Sequence, residues 1–266
     1  MEYKLVAVDM DGTLLTPQLE ISKETVETIN KVIEKGVIFT LSTGRMYLAA
    51  MPFAKMLNLD VPIITCNGAL TKCSKTGKIY DERTIDREDS SKIISYCEKA
   101  GLSVSIYRED DIFIKKNSEN LDIHMQLDHA KPQVIEDFHC LLEGSIIKIM
   151  FNSSNKYNLE QHARNLHELY HEKLNFYFSL PYFVEIVNKQ ANKRNALENI
   201  ALKFNIKKEE IIAIGDNFND MDMIEYAGLG VAMGNAPHYL KEVADFVTGC
   251  NDEDGVRYVL EKFILK

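Results

Sequence analysis

The sequence predicts a doubly wound α/β core of parallel strands, split by an inserted α+β unit. Three observations carry this. Short apolar runs near both ends of the chain, at Leu5–Val8 and in "IIAIGD" (Ile211–Asp216), each stop at a loop of acidic and small residues and lead into a segment of helical period. The middle of the chain instead strings together strand-like runs in hairpin-like succession. No fixed-period repeat and no low-complexity tract interrupts the pattern.

From the N-terminus, Leu5–Val8 reads as a short strand rich in β-branched residues. Ser22 is placed to cap a helix that carries Val26, Ile29 and Ile33 on one stripe and stops at Gly36. "VIFTL" (Val37–Leu41) follows as a second buried strand. Two apolar strands bridged by an amphipathic helix make a βαβ unit, hence a parallel sheet and a right-handed crossover. A helical stretch interrupted by Pro52, where a kink or restart is expected, leads to a third strand at Pro62–Thr65.

Residues 82–186 are assigned to the insertion, and residues 1–81 with 187–266 to the core. In the insertion "LSVSIY", "DIFIKK", "SIIKIMFN", "LNFYFSL" and "YFVEIV" are strand-like, while 87–100 and 156–173 have helical period. The core then resumes. Asn192 can cap a helix with Ala196, Leu197, Ile200 and Phe204 inward; "IIAIGD" ends in Asp216; Met221, Ile224 and Ala227 face inward on the next helix, which Gly228 stops. Strands at Leu229–Met233 and near Phe246 and Val247 complete the sheet.

Composition narrows the function. A net charge of −9 without a basic block argues against nucleic acid, and no apolar run approaches the roughly 18 residues of a membrane span. No secretory signal pattern opens the chain, and five scattered cysteines with no C-x-x-C pair fit free thiols in the cytoplasm. A small anionic partner remains compatible, because it needs only a local positive site.

In a parallel α/β sheet, ligands sit beyond the carboxyl ends of the strands. Four loops converge there: Asp9 and Asp11 after the first strand, "STGR" (Ser42–Arg45) after the second, "CNGA" (Cys66–Ala69) after the third, and "GDNFND" (Gly215–Asp220) after a late one. Asp9, Asp11, Asp216 and Asp220 would repel one another by about 4 kcal/mol per pair at 4 Å and an effective dielectric of about 20. A divalent cation removes the difficulty, and oxygen-only donors favour magnesium over zinc.

"DMDGTLL", "STGR", the late Lys193 and "GDNFNDMDMI" resemble, in order, the four motifs of haloacid-dehalogenase-like phosphohydrolases. "GVAMGNAP" (Gly230–Pro237) followed by "TGCNDEDGV" (Thr248–Val256) is similar to the Cof-type subfamily, which carries a large cap domain between the second and third motifs. The resemblance implies a Rossmann-like core and a magnesium-dependent phosphomonoesterase acting on small phosphorylated metabolites, sugar phosphates above all.

It further implies that Asp9 is the nucleophile of an aspartyl-phosphate mechanism and Asp11 the general acid and base. Asp9 and Asp216 would give the metal carboxylate oxygens and Asp11 its backbone carbonyl; Asp220 would hold the metal shell or orient Lys193. Phosphate contacts fall to the Met10 amide, the Thr43 hydroxyl, the Gly44 amide, Lys193 and Asn219. Arg45 and Asn67 are further candidates for the substrate side, read so ahead of a cap or a surface ion pair, and Asn235 is another that could equally end a turn before Pro237. One departure is visible: Arg194 stands where the family often has glycine after the lysine, and Lys189 is the alternative cation.

Competing readings are a phosphomutase using the same aspartyl-phosphate, and a phospho-aspartate signalling or metabolite-sensing module. "GLGVAMG" (Gly228–Gly234) lacks the strand, glycine loop, helix order of a dinucleotide site. His167 and His171, four apart on a helix, read as a wet helix face rather than a metal pair, and Tyr177, Phe178, Tyr182 and Phe183 as strand core.

Overall fold

The computed structural model describes residues 2–116, 130–180 and 182–266. By contact the chain divides into two compact units: Met1–Gly44, Ala50–Asp81 and Asn192–Lys266 form the first; Arg45–Ala49 and Glu82–Ala191 form the second.

The first unit begins with β1 (Leu5–Val8), whose four residues are all buried. Ser22 caps α1 (Lys23–Glu34) by accepting a hydrogen bond from the Thr25 amide at 3.1 Å. The buried stripe of α1 is Thr25, Thr28, Ile29 and Val32 rather than Val26, Ile29 and Ile33, so the helix is rotated from the apolar expectation. Its cause is polar: Asp254 Oδ1 accepts from Ser22 Oγ at 2.5 Å and from Thr25 Oγ1 at 3.0 Å, turning the threonine inward.

Strand β2 (Ile38–Leu41) pairs parallel with β1. Helix α2 (Tyr47–Met56) contains Pro52 and continues through it as one helix, so of the expected kink or restart there is no restart. Strand β3 (Pro62–Thr65) lies beside the end of β2 through a parallel bridge between Ser42 and Ile64. It then pairs antiparallel with β4 (Leu70–Cys73), which with β5 (Ile79–Glu82) makes a small sheet that periodicity did not suggest.

The second unit is a sheet with helices on one face. After α3 (Arg87–Lys99), capped by Asp86, come β6 (Ser103–Arg108), β7 (Asp111–Lys115), β8 (Gln133–Ile135), β9 (Lys148–Asn152), α4 (Lys156–Tyr170), β10 (Leu174–Leu180) and β11 (Phe183–Asn188). The strand order is β10-β11-β9-β6-β7-β8. Alternate residues such as Val104, Ile106, Ile149, Phe151, Val184 and Ile186 form one buried cluster with Ile93, Ile94, Leu159 and Leu166 of the two helices. Phe183 is buried as expected, but Phe178 and Tyr182 are 58% and 48% exposed and so are not strand core. His167 and His171 stack on each other at 5.5 Å.

Back in the first unit, Asn192 caps α5 (Lys193–Lys203), taking a hydrogen bond from the Asn195 amide at 2.8 Å. Ala196, Leu197 and Ile200 are buried on it, whereas Phe204, expected inward, ends the helix and is half out. Strand β12 (Ile211–Gly215) pairs parallel with β1, and α6 (Met221–Tyr226) follows, burying Ile224 as expected, with Met223 in place of Met221 and Ala227. Strand β13 (Leu229–Ala232), α7 (His238–Val243), β14 (Phe246–Val247) and α8 (Gly255–Phe263) close the unit, α8 packing on α1. The parallel sheet therefore reads β14-β13-β12-β1-β2, with β1 joining the N-terminal and C-terminal halves.

Candidate active site

The carboxyl ends of β1 and β12 are adjacent because the two strands pair residue for residue up to Val8 and Ile214. The next residues inherit that closeness: the Asp9 amide donates to the Ile214 carbonyl at 3.0 Å. Asp9 is 5% exposed and Asp220 fully buried, and one carboxylate oxygen from each of Asp9, Asp216 and Asp220 lies within 4.8 Å of the others. Among the described residues this is the acidic grouping that could hold a metal ion, and it does not include the Asp11 carboxylate.

Lys193, the first residue of α5, is fully buried, and its ammonium enters this cluster. Nζ is 2.5 Å from Asp9 Oδ1 and 2.6 Å from Asp220 Oδ1. The other oxygen of Asp220 accepts from the amides of Asp216 and Asn217, both at 3.0 Å, so protein donors engage both of its oxygens. Thr13 Oγ1 donates to Asp216 Oδ1 at 2.9 Å. Arg194, the departure from the family pattern, lies 5.5 Å from the Tyr226 ring centroid and leaves Lys193 in place; Lys189 is exposed in the second unit.

Burial dominates the protonation of these groups. It pushes the Asp9 carboxyl well above its ordinary value, a shift that Lys193 opposes and Asp220 and Asp216 reinforce. Asp216 is pushed up to about 6, first by burial and then by Asp220, with the Thr13 hydrogen bond opposing. Burial alone would lower Lys193, but Asp220 and Asp9 hold it above the ordinary lysine value.

Three carboxylates against one ammonium leave two net negative charges, which one divalent cation matches. The donors are all oxygens and Asp9 and Asp216 each keep an oxygen away from Lys193, so the residues fit a hard ion such as magnesium. Asp220, with both oxygens occupied, fits a positioning role.

The other predicted residues, Arg45 apart, lie in loops and turns of the first unit. Met10 is buried, and its carbonyl accepts from Leu15 at 2.8 Å, closing the turn that leaves Asp11 exposed. Thr43 is buried, with its amide on the Ile64 carbonyl at 2.9 Å, and half-buried Gly44 follows. Asn67, buried at φ 55°, accepts from Asn219 Nδ2 at 2.9 Å, which ties the loops after β3 and β12 together. Exposed Asn235 donates to the Gly12 carbonyl at 2.8 Å and so holds the first loop. Arg45 is half-buried and falls in the second unit, the one predicted residue outside the first.

Sequence reasoning missed two supports. Gly12 has φ +81°, and a Cβ there would run into the Asp216 carboxylate. Gly68 has φ +92°, and a Cβ there would meet the backbone of Asn192, the cap of the lysine helix. A glycine directly after Asp11 and another directly after Asn67 were the available signal.

An open parallel sheet with a lysine-braced acidic centre at its strand ends defines an α/β enzyme of the doubly wound class. The chain belongs to the haloacid dehalogenase-like hydrolases: that family's model matches residues 6–260. Within it the chain is a Cof-type phosphatase. The 5-amino-6-(5-phospho-D-ribitylamino)uracil phosphatase YwtE of Bacillus subtilis is 30% identical over 98% of both chains. A haloacid dehalogenase-like hydrolase from Bacteroides thetaiotaomicron superposes with a TM-score of 0.90 at 29% identity, covering 98% of this chain and 99% of that one. The subclass IIB sugar phosphatase BT4131 gives 0.84 at 25% identity, over 98% of each chain.

Proposed function

We propose that the protein is a magnesium-dependent phosphomonoesterase that hydrolyses small phosphorylated metabolites, sugar phosphates in particular, through an aspartyl-phosphate on Asp9. The observation that carries this reading is the position of Lys193 between Asp9 and Asp220, with Asp216 in reach of the same point. A buried ammonium there draws a phosphoryl group toward Asp9 and balances charge as the group arrives.

In the first step an Asp9 carboxylate oxygen attacks phosphorus in line, the bond from phosphorus to the ester oxygen breaks, and Asp11 gives its proton to the departing alkoxide. In the second step Asp11 takes a proton from water, the water oxygen attacks phosphorus, and the bond to Asp9 breaks to release inorganic phosphate. Thr43, the amides of Met10 and Gly44, and Asn219 orient the phosphoryl oxygens; Asp220 fixes Lys193. A bound magnesium ion, held by Asp9, Asp216 and the Asp11 carbonyl, would supply Lewis-acid polarisation of the phosphate.

The inserted residues 82–186 select the leaving group, the part that the cap plays in this family. Two relatives named above support the substrate class: one acts on a phosphorylated ribityl chain and another is a sugar phosphatase. We place the enzyme in the cytoplasm, a reducing compartment that suits five scattered cysteines with no C-x-x-C pair; among the described residues no helix is long and apolar enough to cross a membrane.

A screen of phosphorylated metabolites with and without magnesium, with Asp9→Asn as the blank, tests the reading. Equimolar release of inorganic phosphate and alcohol is expected. Transfer of the phosphoryl group to another hydroxyl of the sugar without phosphate release would make the enzyme a mutase, and a stable phosphoprotein without turnover would make it a signalling module.

A further inference from the structure

The loop that follows β1 is gripped by residues from the far end of the chain. Asn235, between β13 and α7, donates from Nδ2 to the Gly12 carbonyl at 2.8 Å, and Asn251, between β14 and α8, donates from Nδ2 to the Leu15 carbonyl at 2.7 Å. The Asn251 amide in turn donates to Asn235 Oδ1 at 3.1 Å, so the two side chains form one clamp.

Asn251 is itself firmly mounted. The Glu253 and Gly255 amides donate to the Cys250 carbonyl at 3.0 and 3.2 Å, and Glu253 Oε2 accepts from the Cys250 amide at 3.2 Å, which closes the turn that carries it. The Gly234 amide donates to the Gly249 carbonyl at 2.9 Å and joins this turn to the loop of Asn235. Asp254, three residues on, fastens the same turn to α1 through Ser22 and Thr25.

The clamp holds the backbone around Asp11. Leu14 and Leu15 are buried while Asp11 is exposed, so apolar packing anchors the far end of the loop more than its acidic end. Asp11 and Leu15 pair in an isolated parallel bridge, so a shift of the Leu15 peptide is passed to Asp11. Gly12, next to Asp11, is the freest joint of the loop at φ +81°, and Asn235 pins its carbonyl. Acid–base catalysis needs the carboxyl within hydrogen-bond reach of the oxygen it serves, and an error of about 1 Å can cost about 10²-fold in rate.

We propose that Asn251 is a positioning residue for Asp11, acting through the Leu15 carbonyl. What Asp11 does in this proposal rests on the phosphatase reading; the clamp lies wholly within the first unit and stands on its own hydrogen bonds.

Asn251→Leu keeps the side-chain size and removes the donor; Asn251→Asp, which also lacks it, takes its place if circular dichroism shows the first variant unfolded. kcat/KM is measured at saturating magnesium for p-nitrophenyl phosphate and for the alkyl phosphate that the natural protein hydrolyses fastest. An alkoxide needs the Asp11 proton to leave, and p-nitrophenolate does not. The variant should therefore lose at least tenfold in kcat/KM for the alkyl phosphate and less than threefold for p-nitrophenyl phosphate. Equal losses for the two, or none, overturn the inference, because a general weakening of the fold acts on both alike.

Amide hydrogen exchange gives a readout that needs no turnover. The Thr13 and Leu15 amides donate to the Met10 carbonyl and the Leu14 amide to that of Asp9. In the variant these three should exchange at least fivefold faster, while the amides of β12 keep their natural rates. Unchanged exchange in the loop overturns the inference even where activity falls. If the natural protein hydrolyses no phosphate ester, the phosphatase reading falls, and exchange alone decides whether Asn251 holds this loop.

Discussion

The ammonium of Lys193 touches the carboxylate of Asp9, which lies 184 residues earlier in the chain. The pair is sealed from solvent, so each charge depends on the other for its tolerance of burial. Removing the ammonium by Lys193→Met leaves Asp9 and Asp220 buried without their cation. Such a loss costs about 3–5 kcal/mol, read as a lower urea midpoint in metal-free buffer. Adding Asp220→Asn should recover part of it; a double variant no more stable than the single one would refute this charge argument.

Asp9→Asn removes the attacking oxygen and one crowded carboxylate at once. Turnover of any phosphate ester should fall below detection, while far-ultraviolet circular dichroism and the cooperativity of melting are kept. Residual activity at more than a hundredth of the natural rate would move the nucleophile elsewhere.

Asp216 makes stability depend on pH in a direction opposite to that of a salt-bridged carboxylate. Its folded-state value of about 6 lies above the ordinary aspartate value of 3.8, so the folded protein holds that proton more tightly. Stability from this site is therefore greatest below about pH 4, declines as pH rises to about 6, and stays lost above it. In chelator, Asp216→Asn should melt higher than the natural protein at pH 7, by roughly 3 kcal/mol of unfolding free energy, and no higher at pH 4. Magnesium at pH 7 should raise the melting temperature of the natural protein and leave that of Asp216→Asn nearly unchanged. Equal melting of the two proteins at pH 7 in chelator would contradict the assignment.

Gly12→Ala places a methyl group against the Asp216 carboxylate at a backbone conformation that alanine resists. A loss of roughly 1–3 kcal/mol in stability is expected, together with a rise in the magnesium concentration needed for half-maximal activity. Natural metal dependence in this variant would show that Asp216 is free to move.

Much of this arrangement was legible because its signals are local. Ser22 and Asn192 are capping residues at helix starts, and apolar strands ending in Asp9 and Asp216 announce a parallel sheet with its site at one edge. Other features depend on distant partners. Thr13 is an ordinary threonine until Asp216, 203 residues later, lies beside it, and the rotation of α1 follows from Asp254 rather than from its own apolar period. Asn67 takes a left-handed conformation that its neighbours in sequence do not signal. Strands β4 and β5 were too short and mixed in polarity to stand out, and β8 spans only three residues.

The pairing of β1 with β12 also sets an order of events during synthesis. Val8 leaves the ribosome long before its neighbour Ile214 is made, an interval on the order of 10–40 s at roughly 5–20 residues per second. Glu82–Ala191 is an uninterrupted stretch with its own apolar cluster, so it can mature while the earlier segment waits. Until the late strand arrives, one edge of β1 stays unpaired, the kind of open strand edge that can pair with other chains.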